Sequence, residues 1–525
     1  MARKFVCTPT EPVVSTVQGK LRGFLLDDVY TFYGIPYAEA ERFQAPHPVT
    51  PWQGIRDALS YGYVCPLLEQ DVPNKEQLVP HRYWPMDEHC LNLNVWTTSL
   101  DPSARKPVMV WLHGGGYFAG SAIEHVAYEG DHLCSYGDVV VVTVNHRLNV
   151  LGYLDLSAYG EKYKNSCNAG NADLVAALTW VQQNIAQFGG DPGNVTIFGQ
   201  SGGGEKVIAL MNTPAADGLF HKGIIQSGVT PMNSGDGENG RPLVQQMLAE
   251  LHLTEAEVEK LETVPYSELA RAYLAAVRVV RDTQDYVGSW PVPNDWYHGH
   301  PLSVGFTEHA RTIPLLIGSV MGEFCFEPGV QNKYNLSEED TLPLLRAKYG
   351  DSIDHLVELF HSAYPRKHLS DLLYVDTYFR GPTRAFIAKR VEARCAPTYT
   401  YLMDYDMPID GGKVAWHCSE VPFVFHNTDR TPLFNVPGET ERLQERICGA
   451  FVHFARYGTP QIPSLPDWLP STEGDETVML LDNVCELRHN FDAELQQALL
   501  DSGTQPTLTL KDTLAPDPNG VQIVH

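Results

Sequence analysis

Residues 199–203 carry the motif Gly-Gln-Ser-Gly-Gly, in which glycines flank Ser201. The apolar run 195–198 before it predicts a strand, and the run 206–211 after it predicts a helix. A serine on a sharp turn between a strand and a helix exposes its hydroxyl group, and the glycines permit both the tight turn and the approach of a substrate. We therefore predict that Ser201 is a nucleophile. The alternative is a glycine-rich loop that holds an incidental serine.

A second glycine-rich segment, His-Gly-Gly-Gly at 113–116, follows the apolar run 108–112. Glycines at such a place let several backbone N–H groups point at one oxygen atom, which is what a developing oxyanion needs. We predict that Gly115, Gly116 and Gly202 donate these N–H groups. The alternative is a plain turn, but the G-x-S-x-G motif downstream favours the interpretation as an oxyanion loop.

A serine nucleophile also needs a base, and the base needs an acid that orients it. Glu323 follows the apolar run 314–319, and a carboxylate beyond the carboxyl end of a strand suits the acid. His417, between apolar residues in a predicted loop, suits the base, although the chain has 20 histidines. The order Ser201, Glu323, His417 is the order found in α/β-hydrolases.

Continuous apolar runs predict strands that are covered on both faces. They are found at 108–112, 139–144, 195–198, 223–226, 314–317, 399–402 and 478–481. Between them, residues 174–185 and 443–454 carry apolar side chains at intervals of three and four, which predicts helices. The alternation predicts an α/β fold with a large, mainly parallel central sheet and helices on both faces.

Two segments of helical composition, at about 238–292 and 337–389, interrupt this alternation. We interpret them as insertions that build a cap or the wall of a gorge over the sheet. No linker separates an independent unit, so we expect one domain over residues 1–525.

Composition excludes several classes of function. The net charge of −26 argues against nucleic-acid binding, which requires a basic surface. It mildly favours neutral or cationic substrates, although solubility is the simpler explanation. No apolar run reaches the length of a membrane span, and the first residues lack the apolar core of a signal peptide, so we expect a cytoplasmic protein. The ten cysteines include no CxxC pair, so we expect no zinc cluster.

The chain resembles the type-B carboxylesterase/lipase family, the cholinesterase-like branch of the α/β-hydrolases, and within it the bacterial para-nitrobenzyl-esterase-like carboxylesterases. Colinear blocks carry the resemblance over nearly the whole chain: FYGIPYA at 32–38, EHCLNLNVW at 88–96, NHRL at 145–148 and FGGDP at 188–192. The resemblance implies an α/β-hydrolase fold, a deep gorge, and the same roles for the residues named above. It implies no metal and no organic cofactor.

The chain departs from the family pattern beside the nucleophile. Gln200 stands where the family usually has Glu, Gly202 where it has Ala, and His89 replaces the Asp of the second block. These changes bear on substrate preference and leave the predicted catalytic residues intact. The first disulfide of the family maps onto Cys65 and Cys90, a bridge that a cytoplasmic protein can leave open.

We therefore predict a serine carboxylesterase that works through an acyl-enzyme. Hydrolysis of an amide or carbamate at the same site is the alternative, and a non-catalytic binding protein is a further one. The expected partner is a small ester, neutral and apolar or aromatic, and the expected assembly is a monomer or a weak homo-oligomer. Aromatic residues near the predicted site are candidates for the substrate pocket or for core packing: Tyr117, Phe118, Tyr286, Trp290 and Phe324.

Overall fold

A twelve-stranded sheet forms the centre of the protein. The computed structural model describes residues 4–68, 81–230, 240–281, 288, 290–325, 332–409 and 411–503. In chain order the strands are β1 (Phe5–Val6), β2 (Phe24–Leu26), β3 (Val29–Pro36), β4 (Asn92–Thr97), β5 (Lys106–Leu112), β6 (Val140–Val144), β7 (Gly190–Gln200), β8 (Lys222–Gln226), β9 (Leu315–Val320), β10 (Thr398–Met403), β11 (Thr477–Leu481) and β12 (Glu486–His489). Their order across the sheet is β1-β2-β3-β4-β6-β5-β7-β8-β9-β10-β11-β12.

The seven strands from β6 to β11 in this order are parallel to one another. They correspond to the seven apolar runs of the sequence, so the predicted mainly parallel sheet is confirmed. Several runs prove longer than predicted: β7 begins at Gly190 and β9 ends at Val320. The added strands at both edges are antiparallel.

Fourteen α-helices are found among the described residues. They are α1 (Asp131–Gly137), α2 (Asn149–Tyr153), α3 (Ala169–Asn184), α4 (Gly202–Met211), α5 (Arg241–Glu250), α6 (Tyr266–Val280), α7 (Pro301–Val304), α8 (Glu308–Thr312), α9 (Glu338–Tyr349), α10 (Ile353–Ala363), α11 (Arg380–Glu392), α12 (Val421–Val424), α13 (Thr440–Tyr457) and α14 (Ala493–Asp501). Short 3-10 helices lie at Pro102–Ala104, Val126–Tyr128, Ser157–Tyr159, Glu161–Tyr163, Ser166–Asn168, Ile185–Phe188, Pro214–Ala216, Glu255–Glu262, Lys333–Asn335, Gly350–Ser352, Leu369–Tyr374, Thr428–Arg430 and Pro432–Phe434.

Smaller sheets lie outside the central one. Val13–Ser15, Lys20–Arg22 and Ile55–Asp57 form a three-stranded sheet. Ala38–Glu39 pairs with His47–Pro48, and Asp406–Met407 pairs with Lys413–Val414.

The central sheet has a hydrophobic core on each face. Side chains alternate along β5, so that Val108 and Val110 join the core that contains α3, whereas Met109 and Trp111 join the core that contains α13. The predicted helices on both faces are therefore confirmed. Helix α13 ends at Tyr457, and Gly458 follows with a φ of 78°, in the left-handed region that glycine favours. Within the described part of the chain, no helix is long and apolar enough to cross a membrane.

A buried ion pair ties the loop after β6 to helix α3. Arg147 donates to Asp173 from Nε and from Nη2 over 2.8 and 2.7 Å, and both side chains are almost fully buried. The backbone N–H of Arg147 donates to the same carboxylate, and Nη1 donates to the carbonyl of Glu41. Because every charge is paired, the burial is tolerated; removing one partner of such a pair costs about 3–5 kcal/mol.

Candidate active site

Ser201 occupies the turn between β7 and α4, with φ 57° and ψ −128°. This conformation is uncommon for a residue with a side chain and is the strained geometry of a nucleophile elbow. The serine N–H donates to the carbonyl of Gln226 on the neighbouring strand over 2.8 Å, and the serine carbonyl accepts from Glu205 over 3.1 Å. These two hydrogen bonds fix the backbone of the turn on both sides of Ser201. The residue is only 6% exposed, but it lines a cavity.

The glycines around Ser201 allow the glycine-rich loop 114–116 to lie against the first turn of α4. A Cβ atom on Gly202 would overlap with the backbone O and Cα of Gly116, and one on Gly203 would overlap with the carbonyl O of Leu112. Gly115 and Gly116 have φ of 80° and 60°, which glycine adopts without strain. Gly202 therefore permits the close contact between the two predicted oxyanion segments.

We expect Gly202→Ala, which restores the usual family residue, to lower kcat by about 100- to 1000-fold, the cost of losing one oxyanion donor. The added methyl group must displace Gly116, and the substrate-binding surface elsewhere is unchanged, so KM should stay within a few-fold. Steady-state kinetics on p-nitrophenyl acetate measures both constants. If a folded G202A variant kept the kcat of the wild type, the loop 114–116 could move without loss of catalysis, which would contradict this prediction.

His417 and Glu323 are paired inside the protein. The Nδ1 atom of His417 lies 2.6 Å from Oε2 of Glu323, and both side chains are at most 1% exposed. The backbone N–H of His417 also donates to the carbonyl of Glu323 over 2.6 Å, so the two residues are joined through the backbone as well. Glu323 lies in the turn just after β9, and the N–H of Gly322 in this turn donates to the carbonyl of Ala415 in the loop that carries His417. The pairing fixes which ring nitrogen of His417 faces the carboxylate.

Burial raises the pKa of Glu323 to about 8, and two hydrogen bonds oppose that effect. The hydroxyl group of Ser227 donates to Oε1 over 2.6 Å, and the N–H of Val320 donates to the same oxygen over 3.0 Å. Hydrogen bonds to the ionised form favour it. Ser227 therefore helps to keep Glu323 charged, which is the state that can stabilise an imidazolium.

We expect Ser227→Ala to raise the pKa of Glu323 further, because a bond to the carboxylate form is lost. A carboxyl group with a higher pKa stays protonated to a higher pH, so the acid limb of the kcat/KM profile should move to higher pH, by about one unit for a bond worth about 1.5 kcal/mol. A pH profile from pH 5 to 9 measures the shift. An unchanged profile would contradict the role given to Ser227.

Gln200 and two aromatic rings complete the surroundings of the imidazole. The amide nitrogen of Gln200 lies 3.2 Å from both ring nitrogens of His417, and its Oε1 accepts from the thiol of Cys418 over 3.0 Å. Phe379 stacks on the ring with centroids 5.2 Å apart, and Phe324 packs beside it at 5.1 Å. These contacts hold the ring in one plane and exclude water from its faces.

A second buried carboxylate lies near the pair. Glu420 accepts from Gln226 over 3.3 Å, and burial together with the charge of Glu323 raises its pKa to about 7. Asp376 behaves in the same way, because burial and Glu323 raise its pKa to about 7. Glu323 therefore lies within an acidic cluster, which makes the hydrogen bond from Ser227 more important.

A cavity of about 360 Å³ joins Ser201, His417, Gly114 and Gly115. Apolar and aromatic residues form part of its wall: Val64, Leu67, Tyr83, Trp84, Met86 and Tyr128. Its polar wall includes Arg82, which forms an ion pair with Glu129 over 2.7 Å. The guanidinium charge of Arg82 in this wall is thus paired with a carboxylate.

The predicted pocket residues lie in different places. Phe324 packs on His417, as described. Tyr117 and Trp290 line a separate small cavity of about 30 Å³. Phe118 is buried, with its ring against the position where a Cβ atom of Gly116 would lie. Tyr286 lies outside the described residues.

Residues that sequence reasoning missed come from distant parts of the chain. Ser227 follows β8 and could have been found from its place beyond the carboxyl end of a strand next to β7. The cavity wall formed by residues 81–86 carries no comparable signal, since no apolar run or motif marks it. Cys65 and Cys90, the predicted disulfide positions, are both buried free thiols, and the hydrogen bond between them and their burial raise the pKa of Cys90.

Comparisons with known proteins agree with this geometry. The model of the carboxylesterase family matches residues 10–498. The para-nitrobenzyl esterase of Bacillus subtilis is 32% identical over 94% of this chain and 99% of its own length, and human carboxylesterase 3 is 31% identical over 87% and 85%. A solved structure of an esterase from Clostridium hathewayi, described as able to hydrolyze aliphatic aromatic polyesters, is 50% identical and superposes with a TM-score of 0.92 over 95% of this chain and all of the other.

The predicted family and fold are therefore confirmed. The α/β-hydrolase architecture, the match over most of the chain and the similarity to several esterases all agree. The chain belongs to the carboxylesterase family, whose enzymes hydrolyse carboxylic esters through a serine nucleophile.

Proposed function

We propose that Ser201, His417 and Glu323 are the catalytic residues and that Gly115, Gly116 and Gly202 form the oxyanion hole. The single observation that carries this proposal is the 2.6 Å contact between Glu323 and His417 in a buried site whose cavity also contains Ser201. In this proposal His417 takes the proton of Ser201 as the hydroxyl oxygen attacks the ester carbonyl. The same proton then goes to the departing alcohol.

The second half of the reaction uses the same groups. Water attacks the acyl-enzyme while His417 accepts its proton. His417 then gives this proton to the Oγ atom of Ser201 as the bond to the acyl group breaks and the carboxylic acid leaves. Glu323 holds the imidazole through Nδ1 and stabilises its positive form. The N–H groups of Gly115, Gly116 and Gly202 receive the negative charge of each tetrahedral intermediate, which is usually the largest catalytic contribution.

We further propose that the preferred substrates are neutral esters with an aromatic acyl or alcohol group. Trp84 and Tyr128 form an aromatic part of the cavity wall. The arginine among the described lining residues is paired with Glu129, so its charge is already neutralised and does not favour an anionic group. The similarity to an esterase described as acting on aliphatic aromatic polyesters supports this preference.

The helical segments predicted as insertions contribute to the same proposal. Phe379, from the segment 337–389, stacks on His417, and α5 and α6 lie in the segment 238–292. We propose that the chain is one α/β-hydrolase domain in which these segments form part of the gorge wall.

Three esters of matched size test the substrate class. Dimethyl terephthalate is neutral and aromatic, monomethyl terephthalate adds one negative charge, and dimethyl adipate removes the ring. We expect kcat/KM to be at least tenfold higher for the first than for either of the others. A preference for the monoanion or for the adipate would contradict the substrate class, and faster cleavage of p-nitroacetanilide than of p-nitrophenyl acetate would favour an amidase.

A further inference from the structure

Helix α4 carries a fully buried lysine one turn after the nucleophile. Lys206 is 0% exposed, and its Nζ atom donates to the backbone carbonyl of His113 over 2.9 Å. His113 is the residue between strand β5 and the glycine-rich loop 114–116. The ammonium group therefore binds the peptide unit that begins the proposed oxyanion loop.

Burying an ammonium group is costly, so its surroundings indicate what offsets the cost. The Nζ atom lies 5.8 Å from the ring centroid of Tyr117, within the range of a cation–π contact. The carboxylates of Glu124 and Glu205 attract it through space. Together with the His113 carbonyl, these groups favour the protonated form of Lys206 beneath the loop.

The histidines at this place do not add charge. The rings of His113 and His146 stack with centroids 5.2 Å apart. Burial and the nearby Lys206 lower the pKa of both rings well below the ordinary value, so both are neutral at neutral pH. Lys206 is the cation of this cluster.

We propose that Lys206 is a positioning residue for the oxyanion hole: its ammonium group fixes the start of the glycine loop 114–116 and adds a positive charge behind the site where the oxyanion forms. This inference rests on the proposed roles of Ser201 and of the glycines. A charge-assisted hydrogen bond to a backbone carbonyl is stronger than a neutral one, so it orients the peptide unit before substrate arrives. Preorganised charge of this kind lowers the barrier without reorganisation during the reaction.

The titration of Lys206 agrees with this geometry. Burial lowers its pKa to about 7, whereas Glu124 and Glu205 act to raise it. A negative charge on the substrate oxygen would raise that pKa in the same way. The interaction is reciprocal: the free energy by which the oxyanion stabilises the protonated lysine equals the free energy by which the protonated lysine stabilises the oxyanion.

Lys206→Met tests the proposal, because methionine keeps the volume of the side chain and removes both the charge and the donor. We expect kcat for p-nitrophenyl acetate to fall about 10- to 100-fold, in the range of one oxyanion contact or less, with KM within twofold. Binding of a trifluoromethyl ketone, which forms a tetrahedral oxyanion with the serine, should weaken by the same factor. If Lys206 had only a structural role, its replacement would not lower kcat and ketone affinity while KM stays unchanged.

Lys222→Met is the matched control. Lys222 is another buried lysine, whose pKa burial lowers to about 8, but it lies at the start of β8, at the opposite end of the strand from Ser227. Its replacement should leave kcat and ketone affinity at wild-type values. If the control loses kcat equally, or if folded Lys206→Met keeps wild-type kcat and ketone affinity, the proposal is overturned.

Two further variants keep the outcomes distinct. If Lys206→Met does not fold, Lys206→Gln retains a donor without the charge: a fall in kcat at constant KM supports the role of the charge, and wild-type kcat overturns it. Ser201→Ala in the same assay tests the proposed function separately from the role of the lysine. If Ser201→Ala keeps the kcat of the wild type, the proposed function is refuted. If Ser201→Ala is inactive while Lys206→Met is fully active, only the role of the lysine is refuted.

Discussion

Ser201→Ala should lower kcat for ester hydrolysis by about 10⁵- to 10⁶-fold, as expected when the nucleophile of a serine triad is lost. The replacement removes the atom that forms the acyl-enzyme, while the turn keeps its two backbone hydrogen bonds to Gln226 and Glu205. The melting temperature should therefore not fall, and alanine should occupy the strained φ of 57° no worse than serine. Initial rates with p-nitrophenyl acetate at high enzyme concentration measure the residual activity.

Ser319→Ala is the control for this variant. Ser319 is a buried serine on β9, and its hydroxyl group has no hydrogen-bond partner within the described part of the chain. Its replacement should leave kcat within a few-fold of wild type. An S201A variant that keeps more than about 1% of the wild-type rate would place the nucleophile elsewhere, since catalysis from the oxyanion hole alone is several orders of magnitude weaker.

Glu323→Gln should lower kcat by about 10⁴-fold, the second-largest effect that we expect. Oε1 of Glu323 accepts from Ser227 and from the Val320 N–H, so the amide oxygen of glutamine should take that position. The amide NH₂ group would then face Nδ1 of His417, where the carboxylate now accepts. That contact favours the wrong tautomer of the imidazole and leaves its positive form without a counter-charge.

The stability of Glu323→Gln separates this explanation from misfolding. Burial disfavours the charged carboxylate, so a neutral amide of the same shape should leave the melting temperature unchanged or higher. The expected combination is a stable protein with a kcat reduced about 10⁴-fold and a KM near the wild-type value. A stable variant with more than about a tenth of the wild-type kcat would show that Glu323 is not the acid.

The sequence predicted the centre of the fold better than its edges. Continuous apolar runs are typical of strands buried on both faces, and each of the seven parallel strands has one. The edge strands β1, β2 and β12 are two to four residues long and only partly buried, so no comparable pattern marks them. The predicted cytoplasmic location and oligomeric state stay predictions.

The candidate site was predictable where local chemistry dictates it. Glycines around Ser201 and at 114–116 are needed for backbone contact, and the sequence showed that need directly. The contacts of Gln200 with His417, and of Lys206 with His113, join residues 217 and 93 positions apart, and only the folded chain brings them together. For the same reason, Tyr117 could not be assigned from its position beside the glycine loop, and it lies in a separate small cavity with Glu205.

The most direct test of the proposed mechanism is to locate the nucleophile by covalent labelling. Wild-type enzyme is inactivated with diisopropyl fluorophosphate, which phosphorylates an activated serine, and the adduct is mapped by peptide mass spectrometry while residual activity is followed. We predict one adduct per chain, on Ser201, formed in proportion to the loss of activity, and none in Glu323→Gln on the same time scale. Stoichiometric labelling of another residue, or full activity after Ser201 is modified, would contradict the assignment of Ser201 as the nucleophile.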